Sequence, residues 1–316
     1  MQRICGHTGA NMAIPTSRTH SAAEVAVDRT VCTGCGQCVA VCKDFCLRLE
    51  NGKACPVAES LFGCLGCGHC MAVCPTGAVT VRGRTLEPEH LFALPPMGSA
   101  ATYDSLFGLL QQRRSVREFL PAAVPGEQIE RILDAARTAP MGLPPSDVNV
   151  LVLDSLDKNR AFARDFCEHL KTMRWLTAPW FLTLMRPFWG KANDGLFRHF
   201  VRPALAAFTE AMDAGTNIVT YDAPLLMYFY ASPWADPADP LVAATLAMLA
   251  GEAQGLGTCM IGSIHPLIQW GGSAARFRQR YGIRGKSREG VVVLFGHPRI
   301  HYRAGIKRSF ASVTRL

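Results

Sequence analysis

Eight of the thirteen cysteines in this 316-residue chain stand in two runs of identical spacing. Cys32, Cys35, Cys38 and Cys42 read C-x2-C-x2-C-x3-C, and Cys64, Cys67, Cys70 and Cys74 repeat the pattern, followed by Pro75. Thiolates are soft ligands, so clustered cysteines point to metal binding. Three thiolates two residues apart wrap one face of an iron–sulfur cubane, and Gly34, Gly36, Gly66 and Gly68 let the backbone approach its sulfides. Zinc is the competing ligand chemistry. It takes four donors, usually as two C-x2-C knuckles, and two identical four-cysteine runs fit that poorly. Tight clustering also separates this chain from secreted disulfide scaffolds and points to a reducing compartment. Between the motifs, Cys46 and Cys55 are either spare ligands or packing and local thiols, the second being preferred, and His69 reads as a hydrogen-bonding or exposed residue. Cys5 and Cys167 have no sequence partners.

A second chemical signal is Gln112-Arg113-Arg114-Ser115-Val116-Arg117. Three arginines and a serine just after a helical run make a concentrated anion site, because arginine forks match phosphate oxygens. The alternative is a solvated basic face, the usual fate of a short charge run.

The cysteine runs resemble the bacterial two-cluster ferredoxin pattern, which implies two [4Fe–4S] clusters. In that pattern the fourth cysteine of each run ligates the other cluster. The resemblance therefore assigns Cys32, Cys35, Cys38 and Cys74 to cluster one, and Cys64, Cys67, Cys70 and Cys42 to cluster two. Lys43 stands where a proline usually follows the fourth cysteine. A basic residue there is expected to favour the reduced, more negative cluster.

From Arg113 onward the chain resembles the FMN-dependent nitroreductase family. RRSVREF resembles the family's opening motif. Thr138-Ala139-Pro140-Met141-Gly142 resembles its A-P-S-G-x-N segment, Gly255 to Gly262 its G-L-G-T-C-x-I-G loop, and Phe295-Gly296-His297-Pro298 its G-Y-P strand end. Ile306-Lys307-Arg308 falls where the family has C-terminal basic residues. The resemblance implies a homodimer with FMN at the subunit interface. Arg113, Arg114, Ser115 and Arg117 would hold the phosphate, ribityl chain and pyrimidine edge, with Lys307 or Arg308 completing the phosphate site. Cys259, Met260, Ile261 and Gly262 would present backbone N–H groups near the flavin N5, which itself carries the chemistry. Cys259 reads as loop packing, not as a nucleophile. Met141 replaces the usual serine, and Pro144 falls near the usual asparagine. Proline has no N–H, so a polar contact there is lost or moves to Ser146, while Pro140, Met141 and Gly142 stay in the pocket wall.

These sites need elements to hold them. Residues 1–28 read as a polar tail, 29–82 as a two-cluster ferredoxin-like domain, 83–104 as a Pro/Gly linker and 105–316 as the flavin domain. Met12 is a candidate alternative start. Helical spacing marks 105–112, 126–138, 157–176 and 240–255; apolar runs at 148–153, 223–232 and 290–295 read as strands. Residues 186–222 read as helices with irregular joins. The order gives an α+β fold: a small ferredoxin-like domain, then a nitroreductase-like domain with a central, mostly antiparallel sheet flanked by helices.

Composition closes off several classes. The N-terminus lacks an apolar h-region, so no secretory signal is expected. The most apolar helical stretch, Leu241 to Leu249, is too short for a bilayer, so a soluble, cytoplasmic protein without a membrane partner is expected. The net charge of +8 comes without basic runs interleaved with aromatics, which excludes nucleic acid and suits an acidic ferredoxin or flavodoxin. No GxGxxG follows a strand, so electrons are expected singly through the clusters, although NAD(P)H stays a candidate donor. Three functions follow: reduction of a small nitro, quinone or similar conjugated acceptor, electron relay between proteins, or a flavin dehydrogenase running outward through the clusters. Trp175, Trp180, Phe181, Phe188, Trp189, Phe197 and Phe200 either wall a substrate pocket or fill helix core.

Overall fold

The computed structural model describes residues 14–57, 60 and 62–316. Cys5 and Met12 lie outside the described residues. The chain divides into two compact units. The first comprises residues 1–100, 140–148 and 231–239; the second comprises 101–139, 149–230 and 240–316.

The first unit is built twice from one plan. It contains β1 (Glu24–Val27), α1 (Gln37–Val41), β2 (Leu47–Glu50), β3 (Lys53–Pro56), α2 (His69–Ala72) and β4 (Val79–Arg82). β1 pairs antiparallel with β4, and β2 with β3. The β2–β3 hairpin turns on Asn51-Gly52, both at positive φ (51° and 68°), the geometry that Asn-Gly favours in two-residue hairpins. Equivalent positions lie 32 residues apart, from Cys32 to Cys64. Gly34 and Gly66 have φ of 75° and 71°, and Gly36 and Gly68 both have 76°. The latter two are the N-caps of α1 and α2. Phe45 and Gly77 match in the same way, at 56° and 66°. Val27, Val81, Ala54 and Met71 are buried in the core between the two halves. The tail expected over 1–28 differs from Glu24 onward, because alternating Val25 and Val27 bury against β4.

Arg84 shows that the segment read as a linker has a structural role at its start. Its guanidinium is buried and donates to the carbonyls of Leu65 (3.0 Å), Ser21 (2.9 Å), Ile14 (3.1 Å) and Pro144 (2.6 Å). Five donors in a rigid fork suit one side chain to joining several loops. Asp147 does the same with opposite polarity. It accepts from Ser17 N–H (2.8 Å), Ser17 Oγ (2.7 Å) and Ser232 Oγ (2.6 Å).

The second unit is α+β. Its elements are α3 (Tyr103–Gln112), α4 (Gly126–Arg137), β5 (Val148–Leu153), α5 (Leu156–Met173), α6 (Pro179–Leu196), α7 (Arg202–Asp213), β6 (Leu225–Ala231), α8 (Asp239–Ala253), β7 (Gly257–Ile261), α9 (Ile264–Leu267), α10 (Gly272–Arg280) and β8 (Gly290–Gly296). The sheet order is β5-β6-β8-β7, with β6–β8 and β7–β8 antiparallel. All seven residues of β6 and of β8 are buried, which is why both read as continuous apolar runs. α4 carries Ile129, Ile132 and Ala136 on one buried stripe. α5 buries Phe162, Phe166 and Leu170, with Phe277 and Tyr281 both edge-on to Phe162. The irregular region resolves into α6, a π-helical turn (Phe197–Val201) and α7; α6 breaks at Gly190, where φ is 78°.

Candidate functional site

Two cavities in the first unit gather the cysteines. One is lined by Cys32, Cys35, Cys38 and Cys74, with Ala54, Ala78 and Val79 beside them. The other is lined by Cys64, Cys67, Cys70 and Cys42, with Val25, Asp44, Cys46 and Leu47. The first three cysteines of each run therefore meet the fourth of the other run. Among the described residues, no group of three or more His, Cys, Asp or Glu is placed to hold a single metal ion. Each set of four thiols instead shares the wall of one cavity.

The donor set suits iron–sulfur clusters beyond the thiols themselves. Cys46 N–H donates to Cys42 Sγ at 3.4 Å, and Ala78 N–H to Cys74 Sγ at 3.2 Å. Such N–H···S bonds stabilise the negative charge of ligand sulfurs. Glycine at 34 is required by packing as well as by φ, since a Cβ there would overlap the Gly52 carbonyl oxygen. Lys43 does not face the cluster cavity. Its ammonium donates to Ala40 O (2.8 Å) at the end of α1, while Asp44 lines the wall. His69 is exposed at the start of α2.

The second unit carries a wide basic hollow. Arg113, Arg114, Lys307, Arg308, Arg303 and Glu252 are among its walls. α3 ends at Arg113, and the chain then runs beside β7, with Val116 N–H donating to Thr258 O at 2.9 Å. The segment from His297 closes back on it: Leu120 N–H donates to His297 O (2.8 Å), and Arg299 N–H to Glu118 O (2.9 Å). Arg114 Nη1 donates to Gln111 O and Arg113 O, both at 2.7 Å, while its Nε is buried without a hydrogen-bond partner among the described residues. An orphaned guanidinium N–H in a basic hollow fits an anionic group such as a phosphate.

Not every residue expected at the flavin lines this hollow. Ser115 forms a parallel bridge with Thr258 of β7, and Arg117 lies 5.8 Å from the centre of the Tyr221 ring. Gly257–Ile261 is strand β7, not a loop, with Cys259 fully buried and Met260 exposed. Burial pushes the Cys259 thiol up, against Arg117, Ser115 and Arg113, which fits packing rather than nucleophilic duty. Pro140, Met141 and Gly142 pack within the first unit, where Gly142 N–H donates to Asp239 Oδ1 at 3.0 Å. Ser146 gives its carbonyl to Arg18 Nη1 at 3.0 Å. The aromatic cluster is not helix core: Trp175, Trp180, Phe188 and Phe200 are exposed. Their neighbours form a chain of ring contacts from Trp175 through Phe181 and Trp189 to Phe197.

Sequence reasoning missed Glu252. It sits where α8 reaches the arginines and accepts from Thr258 Oγ1 at 2.7 Å. Burial pushes its carboxyl above the usual range, opposed by Thr258, Arg113 and Arg114. The available signal was a carboxylate in the last turn of a helix otherwise apolar after Asp239.

The nitroreductase family description matches residues 110–297, and a "4Fe-4S single cluster domain" description matches residues 25–60. The first match spans more than half of the chain, and the chain belongs to the nitroreductase family. It is accordingly an FMN oxidoreductase with a ferredoxin-type domain at its N-terminal side. Solved structures similar to it include a nitroreductase with bound FMN from Bacteroides fragilis, 18% identical with a TM-score of 0.48, covering 67% of this chain and 97% of that one. Another, from Desulfitobacterium hafniense, is 19% identical with a TM-score of 0.48 and the same coverages. No curated protein sequence matches the chain. Among the described residues, no helix is long and apolar enough to cross a membrane.

Proposed function

We propose that this chain reduces a small nitro, quinone or similar conjugated acceptor with electrons supplied singly through two [4Fe–4S] clusters. When bound, the clusters supply one-electron transfer and FMN supplies pairing of electrons for the acceptor. The observation that carries this reading is the crossed set of eight cysteines around two like cavities, in one chain with a nitroreductase domain. Arg114 Nε and the Arg113, Lys307 and Arg308 charges would hold the FMN phosphate. Glu252 would balance the arginines on their other side. Donors to Cys42 and Cys74 would steady the reduced clusters. Fusion keeps donor and acceptor at a high effective concentration.

The reading includes a cytoplasmic homodimer and an acidic ferredoxin or flavodoxin as electron donor, in keeping with the +8 charge. The test is anaerobic purification with iron, sulfide and flavin analysis, and light scattering for mass. The expectation is about eight irons and about eight acid-labile sulfides per chain, from four of each per cluster, with one FMN. Zinc without acid-labile sulfide would sink the cluster reading.

A further inference from the structure

The two halves of the first unit match position by position, and one mismatch stands at a cluster. Ala78 is the fourth residue after Cys74, lines the cavity of Cys32, Cys35, Cys38 and Cys74, and gives its carbonyl to Asp28 N–H at 2.8 Å. Cys46 is the fourth residue after Cys42, lines the cavity of Cys64, Cys67, Cys70 and Cys42, and gives its carbonyl to Val57 N–H at 2.8 Å. The backbone does the same work at both places. The difference is a thiol where the twin has a methyl group.

That residue is part of the cavity wall. Cys46 is 5% exposed, lines the cavity with Cys42 and Cys64, and its N–H donates to Cys42 Sγ at 3.4 Å. On its outer side it reaches Ser60 Oγ (3.5 Å) and Asp44 O (3.6 Å). The cavity therefore carries five cysteines, two of them four residues apart at one corner. A ligand thiolate binds iron through one flexible χ1 arm. A second thiol in the wall of the same cavity, four residues from Cys42, can turn about χ1 toward the same iron.

We infer that Cys46 is the reserve ligand of the second cluster and takes the Cys42 iron when Cys42 is lost. The exchange is redox-neutral. One iron–sulfur bond to Cys46 Sγ replaces the missing bond to Cys42, and the Cys46 thiol proton passes to water. While Cys42 is in place, the Cys46 thiol adds a polar group to the wall of one cavity where the twin has a methyl group, and so sets the two clusters apart in potential. The inference rests on the two-cluster reading.

The test uses the full chain, purified and reconstituted anaerobically as wild type, Cys42→Ala, Cys74→Ala and Cys42→Ala/Cys46→Ala. Electron paramagnetic resonance is read in the oxidised and the dithionite-reduced states, alongside iron content. Cys42→Ala is expected to keep two four-iron clusters, with about eight irons. Cys74→Ala and the double variant are expected to keep only one, the other lost or reduced to a three-iron species with its oxidised-state signal. If Cys42→Ala behaves like the double variant while the wild type holds two clusters, the inference fails and the two-cluster reading stands. A wild type with a single cluster sinks the underlying reading instead. Cys46→Ala covers the case in which Cys42→Ala does not fold. It is expected to keep both clusters and shift one midpoint potential, and two unmoved potentials would overturn the contact.

Discussion

At the residue scale, the sharpest handle on the flavin site is Arg114. Among the described residues its Nε has no partner, whereas its Nη1 is already committed to two carbonyls. An anion that meets Nε gains a charge-assisted hydrogen bond, worth about 1.5–3 kcal/mol. Arg114→Ala is therefore expected to weaken FMN binding by about ten- to a hundredfold, read by fluorescence titration of the flavin-free protein. Arg117→Ala, whose guanidinium lies near Tyr221, is expected to change it far less; equal losses would show that the hollow is not the phosphate site. The cysteine ligands and the arginine pair were legible in sequence because their chemistry is local, set by spacings of three or four residues. Arg84, Asp147 and Glu252 were not. Each acts on groups brought from distant stretches of chain, and nothing in the sequence near them says which.

At the scale of elements, the turns that hold the thiols are as specific as the thiols. Gly34 and Gly77 both adopt positive φ, but only the first has backbone against the place of a Cβ. Gly77→Ala is expected to cost about 1–2 kcal/mol of left-handed strain and to keep both clusters. Gly34→Ala forces Gly52 aside and is expected to lose the cluster of Cys32, Cys35, Cys38 and Cys74, halving the iron content. Retention of full iron by Gly34→Ala would show that this loop yields more freely than its packing indicates. The long apolar runs of β6 and β8 and the stripe of α4 were legible from periodicity. β7 was read as a loop because Gly257-Thr258-Cys259-Met260-Ile261 is short, starts at glycine and pairs within the sheet with one strand. Pro187 and Gly190 interrupt helical spacing in α6, which hid its extent.

The second unit also carries a pH-sensitive core. His169 and His265 are buried, and burial lowers both below the ordinary 6.5. His265 Nδ1 is bonded to Tyr228 Oη at 2.8 Å, and His169 Nε2 to Leu267 O at 2.8 Å. A lowered native pKa means the unfolded chain binds more protons once the pH drops below about 6.5. Their contribution to stability is thus complete above that pH and is lost as pH falls through the lowered native values. Thermal unfolding between pH 5 and 8 is expected to show a decline on the acid side that His265→Gln makes shallower; an unchanged slope would remove His265 from the account.

At the scale of the whole molecule, one chain joins a nitroreductase-family domain to a duplicated cysteine module. The division into two parts was legible from the change of texture along the sequence. That residues 140–148 and 231–239 pack with the cysteine module was not, because long-range bonds of Arg84, Asp147 and Arg18 carry it and no local pattern announces them. The central claim is that electrons reach the flavin through the clusters. Stopped-flow reduction under anaerobic conditions tests it most directly, with reduced ferredoxin, NADH and NADPH offered in turn to intact and cluster-stripped protein. The account predicts rapid flavin bleaching by reduced ferredoxin in the intact protein and its loss once the clusters are destroyed. Rapid bleaching by NADPH with the clusters destroyed would contradict it.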